Sequence, residues 1–166
     1  ILANPTNPTS ISASPSTTIC PGDDVDLTVN GGSLGSDGDW VWYIGNSCGV
    51  TVFQNSGNSR TITVSPSSTT TYSVRVESSC GNSTCVTRTV NVNTPSTAPT
   101  NASVSPSANI CIGDQITLTA SGGSLGSGGS YEWYIGGCGS GSSIASGSSV
   151  TVTAQSGTTN YFVRAE

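Results

Sequence analysis

Histidine, methionine and lysine are absent from this 166-residue chain, whose basic residues are Arg60, Arg75, Arg88 and Arg164. Without histidine there is no imidazole general base, no Ser-His-Asp or Cys-His pair and no imidazole metal site. Four arginines against nine acids give a formal net charge of -5 and a pI near 4.2. A basic groove following a nucleic-acid backbone is thereby excluded. Charged residues make up 8% and hydrophobic residues 33% of the chain, both below the share usual in a cytosolic domain. No run of 18 apolar residues occurs, so this window holds no membrane-spanning helix. The opening Ile1-Leu2-Ala3-Asn4-Pro5 lacks the charged start and apolar stretch of a signal peptide, and export is expected to be directed from outside this window.

Serine and threonine, by contrast, supply roughly a third of the residues, a bias of surface or glycosylated segments. The six cysteines, at 20, 48, 80, 85, 111 and 138, lack the close CxxC and histidine spacing of a zinc site. Their even count and wide spacing predict disulfides and an oxidising compartment, extracellular or at the cell surface.

The strongest signal is an internal repeat. Cys20, Gly22, Asp23 and Leu27 recur as Cys111, Gly113, Asp114 and Leu118, and GGSLGS at 31–36 recurs at 122–127, all at an offset of 91 residues (111 − 20). WYIG at 42–45 recurs at 133–136, while Cys48 and Cys138, and Tyr72-x-Val-Arg and Tyr161-x-Val-Arg, show slight drift from loop insertions. These landmarks divide the chain into 1–10, linker and tail of a preceding repeat; 11–93, first repeat; 94–101, linker; and 102–166, second repeat, ending before its last strand. The window is thus expected to lie within a longer array, its Pro/Thr linkers extended at roughly 3 Å per residue.

Helical periodicity is absent, and short alternating runs separated by turn residues predict strands. Val25, Leu27 and Val29 share one face, as do Ile116, Leu118 and Ala120; Trp40, Trp42 and Ile44 alternate with Val41 and Tyr43. The expected fold is all-β: tandem immunoglobulin-like β-sandwiches, each of about seven antiparallel strands. Trp42, Trp133, Tyr72 and Tyr161 are expected core aromatics, with a Tyr72 hydroxyl bonded back to a neighbouring loop. Glu132 in the place of Val41 marks the Val41/Tyr43 face as the wetter one, which makes Tyr43 and Tyr134 the candidate exposed, sugar-stacking aromatics. Placing loops at the ends of such a sandwich predicts the pairs Cys20–Cys48, Cys80–Cys85 and Cys111–Cys138.

No catalytic residue or metal ligand is assigned. The acids Asp23, Asp24, Asp26, Asp37 and Asp39 resemble a calcium loop, but the second copy keeps only Asp114, and Gln115, Thr117, Gly128 and Ser130 stand at the other positions. Asp23 and Asp114 therefore read as turn residues bonding their own backbone, and no cofactor is expected, with Ca²⁺ at the first repeat alone as the alternative, visible as a calcium-dependent melting shift. Glu77 and Glu166 beside Arg75 and Arg164 read as a repeated surface feature rather than a glycosidase pair. The glycine-rich strings have no following lysine or helix and are not phosphate loops. Two N-x-S/T sequons, at Asn82 and Asn101, and the Ser/Thr density make glycans plausible.

The order ICxGDxxxLTxxGGSLG…WYIG…C-G…TTxYxVRxE…C…TxC resembles the bacterial Ig-like repeats of very large secreted surface proteins, common in Bacteroidetes-type bacteria. Its anchors here are Cys20, Gly22, Asp23, Leu27, Gly31, Gly32, Trp42, Tyr43, Cys48, Tyr72, Val74, Arg75 and Glu77, across residues 11–93 and, in the copy, 102–166. The resemblance implies a stalk, adhesin or fibre role with export through an outer-membrane secretion system. The expected function is a non-enzymatic extracellular structural repeat of a cell-surface fibre, filament or adhesin stalk, and the alternative a carbohydrate- or matrix-binding module. Expected partners are other copies of the chain or adjacent repeats, with glycans or surfaces as the alternative.

Overall fold

The computed structural model describes residues 1–107 and 109–166. They fall into two compact units, Ile1–Asn93 and Thr94–Glu166, each with its own apolar core.

The first unit has eight strands: β1 (Thr6–Ser14), β2 (Thr18–Ile19), β3 (Val25–Ser33), β4 (Asp39–Ile44), β5 (Val52–Gly57), β6 (Thr61–Val64), β7 (Thr70–Glu77) and β8 (Val86–Val92). One sheet has the order β1-β3-β6 and the other β2-β8-β7-β4-β5. Alternating β-branched residues make this packing, because successive side chains of a strand point to opposite faces. On β3 the inward set is Val25, Leu27 and Val29; on β7 it is Tyr72, Val74 and Val76; all are buried with Ile62, Val64 and Val90 around Trp40 and Trp42. All pairings are antiparallel except β2 with β8, where Thr18 and Ile19 run parallel to Asn91 and Val92. Eight strands rather than seven form because the chain crosses between sheets at Ser16 and contributes to both.

The second unit has six described strands: β9 (Asn101–Ser105), β10 (Gln115–Ser121), β11 (Tyr131–Ile135), β12 (Ala145–Ser146), β13 (Ser149–Thr153) and β14 (Tyr161–Ala165). Their orders, β13-β10-β9 and β12-β11-β14, reproduce β6-β3-β1 and β5-β4-β7. Trp133, at 1% exposure, takes the place of Trp42 among Ile116, Leu118 and Val150. Tyr161 is half-buried against this core. No described strand is the counterpart of β2 or β8.

The segments read as linkers are built into the units instead. Ala3 N–H donates to Ser36 Oγ at 2.8 Å and Ser36 N–H to Ala3 O at 3.1 Å; Thr94 and Ser127 repeat both bonds at 2.9 and 2.8 Å. The Thr6–Ser33 hydroxyl pair likewise recurs as Thr97–Ser124, each at 2.9 Å. Residues 3–9 and 94–100 thus lie along their GGSLGS loops, which explains why that string recurs unchanged. A Cβ at Gly126 would overlap the Thr94 carbonyl oxygen and stand 2.7 Å from Pro95 C and Ser96 N. Gly126→Ala is accordingly expected to destabilise the second unit by about 1–3 kcal/mol, the usual cost of overpacking. Differential scanning calorimetry, with faster hydrogen exchange at Thr94–Thr97, checks this.

The cysteine pairing also differs from expectation. The bond formed is Cys48–Cys85, with a Cα–Cα separation of 5.9 Å, and Cys20, Cys80, Cys111 and Cys138 are exposed and unpaired. Cys85 precedes Val86, which pairs with Val74, whereas Cys20 follows Ile19, paired with Val92 at the far end of β8. Six residues of strand, about 20 Å, separate those levels, well beyond disulfide reach. The loop after β4 closes the distance by folding back: Ile44 N–H bonds Thr51 O at 3.0 Å and Gly45 N–H bonds Thr71 O at 2.8 Å. Among the described residues no helix is long and apolar enough to cross a membrane.

Candidate functional site

The polar cluster common to both units lies on the outer face of the sheet containing β4 and β7. Their register pairs Tyr43 with Ser73, Val41 with Arg75 and Asp39 with Glu77. Tyr43, Arg75 and Glu77 therefore follow one another diagonally on one face, within reach of long side chains. The Arg75 guanidinium carbon lies 5.5 Å from the Tyr43 ring centroid. Its Nε and Nη2 donate to Glu77 Oε1 at 2.9 and 2.6 Å, and the Tyr43 hydroxyl donates to the same oxygen. The second unit repeats the arrangement: Arg164 lies 5.4 Å from the Tyr134 centroid, and Arg164 Nε and the Tyr134 hydroxyl both donate to Glu166 Oε1.

Tyr43 and Tyr134 are consequently not exposed platforms. They are 1% and 4% exposed, and Val41, on the face expected to be wetter, is 5% exposed. Over each ring lies an arginine guanidinium, and in both units the loop after the strand reaches that guanidinium, at Gly49 against Arg75 and at Gly139 against Arg164; in the first unit Cys48–Cys85 also ties this loop to the head of β8. Alternation along β4 distinguishes the two faces but carries no information about a loop that folds over one of them. Beneath that cover, Ser73 Oγ is buried with no hydrogen-bond partner among the described residues.

The charges set the pH response. The Tyr43 hydroxyl first, and then the Arg75 guanidinium, hold the Glu77 carboxyl below its ordinary value of 4.5; Tyr134 and Arg164 do the same to Glu166. Burial, then the Glu77 carboxylate, raises Tyr43 above 10.0, and Glu166 and burial raise Tyr134. A lowered folded-state pKa contributes stability that is full above the unfolded value and lost as pH falls through the folded one. A raised one contributes stability that is full below the unfolded value and lost as pH rises through the folded one. Urea midpoints are expected to be level between about pH 5 and pH 9 and to fall on both sides. Glu77→Gln should flatten the acid limb of the first unit alone.

The remaining sequence candidates do not converge. Asp23 Oδ2 accepts Cys20 N–H at 3.0 Å and Asp114 Oδ2 accepts Cys111 N–H at 2.8 Å, a turn closure shared by both copies. Asp24 pairs with Ser65, Asp26 with Thr63, Asp37 with Ser79 and Asp39 with Asn55. Among the described residues no three His, Cys, Asp or Glu side chains gather as a metal site. Trp42 Nε1 donates to Ser56 Oγ at 3.2 Å and Trp133 Nε1 to Gly147 O at 2.9 Å. Tyr72 is buried edge-on to Phe53 at 5.5 Å, and its hydroxyl makes no hydrogen bond among the described residues, contrary to the expected bond to a loop.

Arg60 escaped the sequence reading. Its Nη1 and Nη2 donate to Gly31 O and Gly32 O at 2.5 and 2.7 Å while the guanidinium carbon lies 5.2 Å from the Trp40 centroid. In the second unit Tyr131, at the Trp40 position, supplies the donor itself, its hydroxyl reaching Gly122 O at 2.9 Å. The replacement of Trp40 by Tyr131 was the available signal.

Two facing sheets around a central tryptophan, with the first unit's β2-β8-β7-β4-β5 sheet opposite β1-β3-β6, define an immunoglobulin-like β-sandwich. Residues 98–166 match the family model described as Ig-like domain, CHU_C associated, a likeness that covers most of the second unit and agrees with the resemblance its sequence carries. The crystal structure of murine CEACAM1b matches at a TM-score of 0.50 and 18% identity, over 82% of this chain and 75% of that one. The human OSCAR ligand-binding domain matches at a TM-score of 0.37 and 14% identity, over 90% of this chain and 84% of that one. The likeness to the murine structure, at that identity, speaks for the fold alone. No curated protein matches this chain.

Proposed function

We propose that the chain is a non-enzymatic, extracellular structural repeat of a bacterial cell-surface fibre, filament or adhesin stalk. The carrying observation is that the polar groups shared by both repeats are engaged in bonds inside their own unit: Tyr–Arg–Glu, the Asp of the turn, the indole N–H and the linker hydroxyls. Repetition has kept what holds each sandwich together, not a set of groups presented to a substrate. The disulfide supports an oxidising location outside the cytoplasm. The exposed sequon residues Asn82 and Asn101 suit a glycosylated surface, and the partners are other copies or adjacent repeats.

Burial of Tyr43 and Tyr134 withdraws the aromatics on which the sugar-binding alternative rested. Electron microscopy of the native surface material, with antibody against this chain, tests the reading. Labelled threads or filaments are expected. Label confined to compact soluble particles that bind glycans or turn over a substrate would replace it.

A further inference from the structure

The outer side of β13 is an open strand edge. β13 pairs with β10 in unbroken register from Gln115↔Thr153 to Thr119↔Ser149, and its other side carries no strand among the described residues. The opening is independent of β8, which belongs to the other sheet: β6, the counterpart of β13 in the eight-stranded first unit, is an edge as well. Hydrogen bonds to β10 fix which groups face outward. Ala120 N–H donates to Ser148 O and Ala154 N–H to Asp114 O, each at 2.8 Å. Pairs alternate along an antiparallel ladder, so Ser149, Thr151 and Thr153 turn their N–H and C=O groups to the open edge. The side chains of these three are exposed, while Val150 is buried and Val152 half-buried against the core of Trp133.

Edges are ordinarily guarded by charge, proline or brevity. β6 is guarded: Asp26 and Asp24 bond Thr63 and Ser65 beside it, and Pro66 follows. In the second unit Thr117 and Gln115 replace the two aspartates, and residues 133–163 contain no charge in a chain of net charge -5. The substitutions that set the two repeats apart thus remove the like charges that would hold two such edges apart. The order along β13, hydroxyl and valine in alternation with a hydroxyl at each end, also reads the same in both directions.

We infer that β13 is a self-association edge, at which β13 of a second copy of the chain adds antiparallel about a two-fold axis at Thr151. Thr151 then faces Thr151 of the second copy, and Ser149 faces its Thr153, through the outward N–H and C=O groups. Hydroxyls meet on the solvent face, and Val150 meets Val152 on the core face. The contact uses the same patch on both copies and closes at two. It rests on the proposal that other copies are the partners, and names the strand that joins them. Five residues of strand, about 17 Å, make a small contact, so association is weak and belongs to high concentration.

The test is sedimentation equilibrium of the intact chain, with its exposed thiols alkylated so that no intermolecular disulfide contributes. The mean mass should rise with concentration toward that of two chains. Thr151→Lys, which sets like charges opposite one another while bringing the net charge nearer zero, should weaken association by about tenfold or more. An equal mixture of Thr151→Lys and Thr151→Glu chains should restore it, and Thr63→Lys, at the matching place on β6, should leave it unchanged. Unaltered thermal unfolding of the variants shows that the fold is kept. Hydrogen exchange at the Ser149, Thr151 and Thr153 amides should be slower in concentrated than in dilute solution. A constant single-chain mass would overturn this inference alone, because the fibre reading is tested separately on native material. A dimer that survives Thr151→Lys, one lost with Thr63→Lys, or growth beyond two copies would also overturn it.

Discussion

Trp42→Ala should lower the stability of the first unit by about 3–5 kcal/mol, the range for emptying a buried large aromatic site. Trp42 has no exposed surface, and it stands on β4 between Val74 of the neighbouring strand and the facing Val25, Leu27 and Val29. Those neighbours belong to strands whose backbones are held in two hydrogen-bonded sheets, so the space left by an indole cannot close by a small shift. The lost Nε1–H···Ser56 Oγ bond adds a smaller term. A domain with about 5–15 kcal/mol of net stability retains little after such a loss. Calorimetry should show the transition of the first unit falling steeply while that of the second stays in place. Trp133→Ala should reverse the pattern, and a loss of both transitions together in either variant would contradict two separate cores.

Removal of Cys48–Cys85 ranks second. The bond joins residues 37 apart, and the chain-entropy model assigns a loop of that size about 4 kcal/mol. The loss has a local signature as well, because the bond ties to β8 the loop after β4, whose Gly49 lies against the Arg75 guanidinium that covers Tyr43. A Cys48→Ala/Cys85→Ala chain should therefore show faster exchange of the Gly45 and Ile44 amides, which bond Thr71 O and Thr51 O, and a Tyr43 ring open to solvent reagents. Reduction of the natural chain should reproduce the effect, whereas Cys111→Ala, at an unpaired exposed thiol, should leave thermal unfolding unchanged. A shift with Cys111→Ala equal to that of the double variant would point to a different pairing in solution.

Most of the fold was legible because its determinants are local. Alternation of Val25, Leu27 and Val29, of Trp40 and Trp42, and of Ile62 and Val64 identifies strands and their inward faces, and these side chains are the buried ones. The 91-residue offset reappears as repeated hydrogen bonds, down to the pair Thr6–Ser33 and Thr97–Ser124. The resemblance to bacterial Ig-like repeats was carried by short strings whose residues hold the turn at Asp23 and the cluster of Tyr43, Arg75 and Glu77. Arg60 was less legible, since its partners are backbone oxygens of Gly31 and Gly32, which leave no mark on composition or spacing.

From the sequence alone came the repeat, the all-β sandwich and most of the inward residues, because a pleated strand declares its buried face in every second side chain; β4 departs from this, with Ile44 43% exposed and Val41 buried. The tertiary structure alone decided which thiols meet, that Tyr43 and Tyr134 lie under cover, and that residues 3–9 and 94–100 are packed segments rather than free linkers. Each of these depends on a non-local event: the β4–β5 loop folding back over its sheet, β2 crossing to β8, and a backbone segment lying against glycines that leave room for it.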